Sequence, residues 1–201
     1  MSQIAGVNPW VSMWSHPRDT IRAIVFNKPS YGVYYLATIF SLQSFFFYAN
    51  WWSLGLKNHF SFILTLAIIF SPLIGLFWVF ISGYIYYLTG RLLKGEAPSC
   101  HLRAAVAWSK IPTSINLLMW LVLIFMSPDF VFIQDGGGPS SIFINLISLI
   151  LGIWSLVLLI QSIREVQHFS LGRSILNVFL ASIVSFILFV AIFALIRSSL
   201  I

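Results

Sequence analysis

Charge is what this sequence has least of. Only 8% of its 201 residues are Asp, Glu, Lys or Arg, against about a quarter in an average soluble domain, while 59% are hydrophobic. A soluble domain of this size has no interior large enough for so much apolar surface, so the composition excludes the ordinary globular classes and leaves an integral membrane protein. Cysteine is nearly absent as well: the single Cys100 excludes an internal disulfide and a CxxC-type metal pair. His16, His59, His101 and His168 are scattered, and Cys100 beside His101 falls short of the about four ligands that zinc takes. No metal and no other cofactor is expected. The net charge of +6 does not point to nucleic acid, because the basic residues lie between apolar runs rather than along one face.

What is present is a series of long uncharged runs. Between Lys28 and Lys57 there is room for a span at about residues 32–54, with Tyr31, Tyr34 and Tyr35 at one end and Trp51 and Trp52 at the other, where aromatic belts form. Residues 60–90 read as one long helix, kinked at Pro72. Residues 111–126, 142–163 and 175–196 supply three further spans. The expected fold is therefore all-α: a compact bundle of five transmembrane helices, residues 32–201, behind a cytoplasmic arm, residues 1–31. In that arm, NPWVSMWSHPRDTIRAIVFNK (residues 8–28) sets Trp10, Trp14, Ile21, Ile24 and Val25 beside Arg18 and Arg22, the pattern of an amphipathic helix lying in the membrane interface. Ser15 or His16 ahead of Pro17 marks its start, and Asp19 suits its first turn. The arm lacks the basic head, apolar core and small-residue cleavage site of a signal peptide, so the first span is expected to serve as an uncleaved anchor.

The basic residues orient these spans. Nine of the eleven fall in the arm (Arg18, Arg22, Lys28), in the connector from Gly90 to Pro112 (Arg91, Lys94, Arg103, Lys110) and in REVQHFSLGR (Arg164, Arg173); Lys57 and Arg197 are the other two. Short basic loops stay on the cytoplasmic side, which puts the N-terminus inside and, after five spans, the C-terminus outside. Such a cationic face suits the anionic lipids of the inner leaflet or an acidic partner, at about 1 kcal/mol per basic residue. The competing reading is that these charges set topology alone.

Catalytic constellations are missing. The spans hold no Asp, Glu, Lys, Arg or His at mid-membrane depth, which counts against proton relays and ion-coupled carriers. Asp129 and Asp135, in the loop SPDFVFIQDGGGPSS, have no basic partner nearby and read as a solvated loop. Gly136-Gly137-Gly138-Pro139 is followed by no Lys-Ser or Lys-Thr pair and reads as a turn rather than a phosphate cradle. Small residues four apart, Ser71 with Gly75, Ser148 with Gly152 and Ala181 with Ser185, predict close helix packing. The amides Gln43, Asn116, Asn145, Gln161 and Asn177 read as glue between helices. A non-enzymatic multi-pass protein is the reading that follows; a small permease or channel for an uncharged solute, built on those amides, is the alternative.

Three stretches and the overall run pattern together resemble bacterial members of the Yip domain family, the Ypt-interacting proteins. They are Asn8-Pro9-Trp10 with Met13-Trp14, Pro17-Arg18 and Thr20-Ile21-Arg22; AVAWSKIP ahead of the third span; REVQHFSLGRSIL into the last; and the five-run pattern itself. The most specific piece is Ala104 to Pro112, with Trp108, Ser109 and Pro112, where the family carries an aromatic and a small polar residue shortly before a proline. The resemblance implies a five-span bundle with a cytoplasmic N-terminus, in the bacterial cytoplasmic membrane. The acidic arm motif of eukaryotic members is absent, and Ala107-Trp108 stands where they carry Gly-Tyr, so GTPase binding is not carried over. The residues expected to touch lipid or a partner are then Arg18, Arg22, Arg91, Lys94, Arg103, Trp108, Ser109, Lys110, Pro112, Arg164 and Arg173. The expected partners are the anionic inner leaflet and a membrane protein or a second copy of the chain, with no nucleic acid.

Overall fold

The computed structural model describes residues 8–128, 130–134 and 139–199, and every regular element among them is helical. The arm forms two helices rather than one, α1 (Pro9–Ser15) and α2 (Pro17–Asn27). The Asn8 side chain caps α1 by accepting from the Trp10 N–H at 3.1 Å. Pro17 has no N–H to return to the α1 carbonyls, so the chain breaks at His16 and starts again with Pro17 in the first turn of α2. Ile21 and Ile24 on α2 are wholly buried against the rest of the protein, and the apolar groups left outward include Trp10, Val11 and Phe26.

Helix α3 (Val33–Trp51) and helix α4 (Phe60–Leu92) form an antiparallel pair joined through a 3₁₀ turn, Leu54–Leu56. Their backbones touch at Gly75, where a Cβ would collide with the Ala37 carbonyl. Helix α4 runs through Pro72 as one element. The connector expected as a charged loop contains a helix, α5 (Ser99–Trp108), followed by α6 (Ile111–Ser114) and α7 (Asn116–Met126). The axis turns by 46° between α5 and the α6–α7 pair. Pro112, without an N–H for the Trp108 carbonyl, keeps the helix from running straight through. Helices α8 (Pro139–Val166) and α9 (Leu171–Ser199) complete the chain. Asp129, Asp135 and Gly136 to Gly138 lie outside the described residues.

Three helices are long and apolar enough to cross a membrane, within Phe60–Leu92, Ile142–Val166 and Leu171–Ala191, and the bent pair Ser99–Trp108 with Ile111–Met126 makes a fourth if it counts as one span. Of the five expected spans, α3 falls short on composition, because its 19 residues include Ser41, Gln43, Ser44 and Asn50. Phe70, Leu73 and Phe77 on α4, and Phe143, Leu149 and Ile153 on α8, turn outward. That much outward apolar surface suits hydrocarbon rather than water.

The buried residues form two clusters. The larger joins Met13, Ile21, Ile24, Leu36, Leu102, Trp108, Leu158, Ile163 and Phe169, where the arm, α5 and the α8–α9 turn meet. The smaller joins Phe46, Ile63, Ala67, Trp120 and Phe132 at the other end of the α3–α4 pair. There the Phe132 carbonyl accepts from the Gly55 N–H at 3.0 Å, and Asn50 Nδ2 donates to the Val131 carbonyl at 2.9 Å.

Candidate functional site: the basic end of the bundle

Trp108, the last residue of α5, belongs to the larger cluster and has no exposed surface. Its Nε1–H donates to the Tyr31 carbonyl at 2.9 Å. Tyr31 stacks on it at 6.0 Å and 13°, and Trp10 tilts against it at 5.3 Å. Gly32 has a positive φ of 71°, and a Cβ there would stand 2.7 Å from Trp108 Cζ2. Left-handed backbone and close approach together require glycine at the hinge into α3. One indole thus fixes the arm, the entry to α3 and the end of α5.

Glu165, at the end of α8, is the second anchor. Arg18 holds its Oε2 with Nε at 2.9 Å, and Arg22 holds its Oε1 with Nε at 2.6 Å. Residues four apart on a helix share a face, so α2 presents both guanidinium groups to one carboxylate. The Glu165 side chain is 5% exposed, against 45% for Arg18 and 61% for Arg22. The sequence carried a signal for this: Glu165 is the one acid in REVQHFSLGR, and the two arginines sit at helical spacing. Its partner lay 143 and 147 residues away, which spacing alone does not connect.

A third junction ties α4 and the stretch after it to α9 and the α8–α9 turn. The Thr89 hydroxyl donates to Asn177 Oδ1 at 2.7 Å, and the Ala97 N–H donates to Gln167 Oε1 at 3.1 Å. Asn116 Nδ2 likewise donates to Ser148 Oγ at 3.2 Å, so amides bridge helices at two places.

The residues singled out in the sequence fall into four groups. Arg91, Lys94 and Arg173 are exposed at the end where α4 closes and α9 opens. Arg103, Lys110 and Arg164 are partly covered; the Arg103 guanidinium lies 4.3 Å from the centre of the Phe80 ring. Trp108, Ser109 and Pro112 are buried, so their contacts are internal to the bundle, while Arg18 and Arg22 are engaged by Glu165. Among the described residues no three His, Cys, Asp or Glu side chains gather as a metal set would.

Glu165→Gln should loosen the arm. The carboxylate takes charge-assisted bonds from two arginines that can return to water, so the expected loss is about 2 kcal/mol. Limited trypsin digestion in detergent should then cut faster at Arg18 and Arg22; an unchanged rate would show that the pairing does not hold the arm.

No curated protein and no solved structure matches the chain. A family model does: the Yip1 domain matches residues 11–193, a stretch that runs from α1 into α9 and includes the Trp108 anchor, both arginines of the arm and Glu165. The chain therefore belongs to the Yip1 domain family, as an integral membrane protein built of apolar helices.

Proposed function

We propose that the protein crosses the bacterial cytoplasmic membrane five times, with α3 as the additional span and the N-terminus in the cytosol, and that it acts without catalysis through its basic end on anionic lipids or a membrane-protein partner. The observation that carries this reading is the division among its cations. Glu165 engages Arg18 and Arg22, while Arg91, Lys94 and Arg173 stand exposed with no acid in pairing distance among the described residues. Unpaired cations at one end of an apolar bundle are placed to meet phosphate headgroups. Val11 and Phe26, exposed on the arm beside its arginines, supply apolar groups for the same interface. For α3, support comes from its packing: Ala37 and Phe46 are buried against neighbouring helices, and Gly75 of α4 meets it backbone to backbone.

Replacing Arg91, Lys94 and Arg173 by Gln removes about 1 kcal/mol of attraction each. In bilayers mixing zwitterionic lipid with brominated anionic lipid, the wild type should show tryptophan quenching above the bulk anionic fraction, and the triple variant should show less of that excess. Equal quenching would remove lipid as the target of these three charges.

A further inference from the structure

Lys110 stands apart from the other cations. It lies at the turn between α5 and α6, partly covered, and its ammonium sits 5.0 Å from the centre of the Phe40 ring and 5.5 Å from that of Trp78. Among the described residues no carboxylate pairs with it and no oxygen accepts from its Nζ. Aromatic faces ease a desolvated ammonium by about 1–2 kcal/mol, less than an anion in contact would provide.

Phe40 and Trp78 are also one end of a groove of about 370 Å³ between α3 and α4, continued by Ser44, Phe45, Tyr48 and Ile74. At about 30 Å³ for each water-sized group, that volume is on the order of twelve such groups, comparable to part of one acyl chain. Tyr48, Trp52 and Ile74 on its walls are exposed, so the groove opens sideways onto the apolar surface of the bundle. Trp78 lies 18 residues into α4 from Phe60, about 27 Å at 1.5 Å per residue, close to the roughly 30 Å thickness of a hydrocarbon core. With Phe60 taken as the far edge of the apolar slab, the cation stands toward the near edge and the groove leads from it into the interior.

We propose that this groove is a discrete site for one anionic phospholipid, its phosphate meeting Lys110 and one acyl chain lying between α3 and α4. The charge selects the ligand: a zwitterionic lipid brings its own ammonium to a place already positive, and an uncharged amphiphile leaves Lys110 without an anion. The site rests on the reading that α3 lies in the membrane beside α4. It is separate from the exposed rim of Arg91, Lys94 and Arg173, which gathers lipid without a pocket.

Native mass spectrometry of the full chain, purified in detergent with phosphatidylglycerol and phosphatidylethanolamine at equal concentration, tests it. The wild type should keep one phosphatidylglycerol per chain. Lys110→Met, which preserves the alkyl packing on Phe40 and Trp78, should lower that retention tenfold or more, and Lys110→Arg should keep it. Ser44→Leu, which fills the groove and leaves the charge, should also lose it, whereas the Arg91, Lys94 and Arg173 triple variant should keep it. Glycerol phosphate should not compete. Retention by Lys110→Met at the wild-type level, equal retention of the two lipids, or displacement by glycerol phosphate would overturn the proposal. Failure of the α3 reading appears elsewhere, in which side of the membrane labels residues flanking α3.

Discussion

Replacing Trp108 with alanine should cost about 3–5 kcal/mol and release the N-terminal arm from the bundle. The side chain is fully buried, and its removal leaves a void between Trp10, Tyr31 and Gly32. The Tyr31 carbonyl also loses its donor. Trp108→Phe separates the two contributions: it keeps an aromatic body and forfeits the indole N–H, so it should cost about 1–2 kcal/mol. Thermal unfolding in detergent reads both values, and cleavage within residues 9–27 reads the arm. If Trp108→Ala unfolds near the wild-type temperature with its arm protected, the indole does not organise this end of the molecule.

Gly75→Leu is the second large effect. Its Cβ alone would collide with the Ala37 backbone, and backbone on a packed helix does not yield as a side-chain tip does. Overpacking of this kind costs about 1–3 kcal/mol in a protein interior, and here it should also separate α3 from α4 along the line that carries the lipid groove. Gly152→Leu is the matched control: the second glycine of a small-residue pair, it has nothing within 4 Å of the position of a Cβ, and its replacement should be nearly silent. Unfolding temperatures of the two variants should differ by several degrees; equal values would mean that α3 and α4 do not meet at Gly75.

These two glycines show how far the sequence can be read. Small residues four apart mark surfaces where helices are able to approach, yet Ser71–Gly75 is used for contact and the Gly152 position is open, because spacing gives a face and not what stands opposite. The long apolar runs at residues 60–90, 142–163 and 175–196 were legible since a membrane helix carries its own length requirement. Helix α3 was legible as a run without charge, while Ser41, Gln43 and Asn50 dilute its apolarity below that of the other spans. The connector from Gly90 to Pro112 announced itself by charge, and that charge masked the helix inside it: Leu102 and Ala104 to Trp108 form an apolar face that packs inward while Arg103 turns aside onto Phe80. Trp108 was conspicuous as part of a family motif, but only the fold shows that its neighbours come from the arm and from Tyr31. Glu165 went unremarked for the same reason, its partners lying at the opposite end of the chain.

The proposed five-crossing bundle, with its arm and basic end on the cytosolic side, turns on whether α3 crosses the membrane. The chain has one cysteine, so in a Cys100→Ser background His16→Cys and His59→Cys place single thiols at exposed positions on either side of α3. Labelling intact cells and inverted vesicles with a membrane-impermeant maleimide reads the side of each. The thiol at position 16 should react only in inverted vesicles and the one at position 59 only in intact cells; reaction of both from the same side would contradict a crossing by α3.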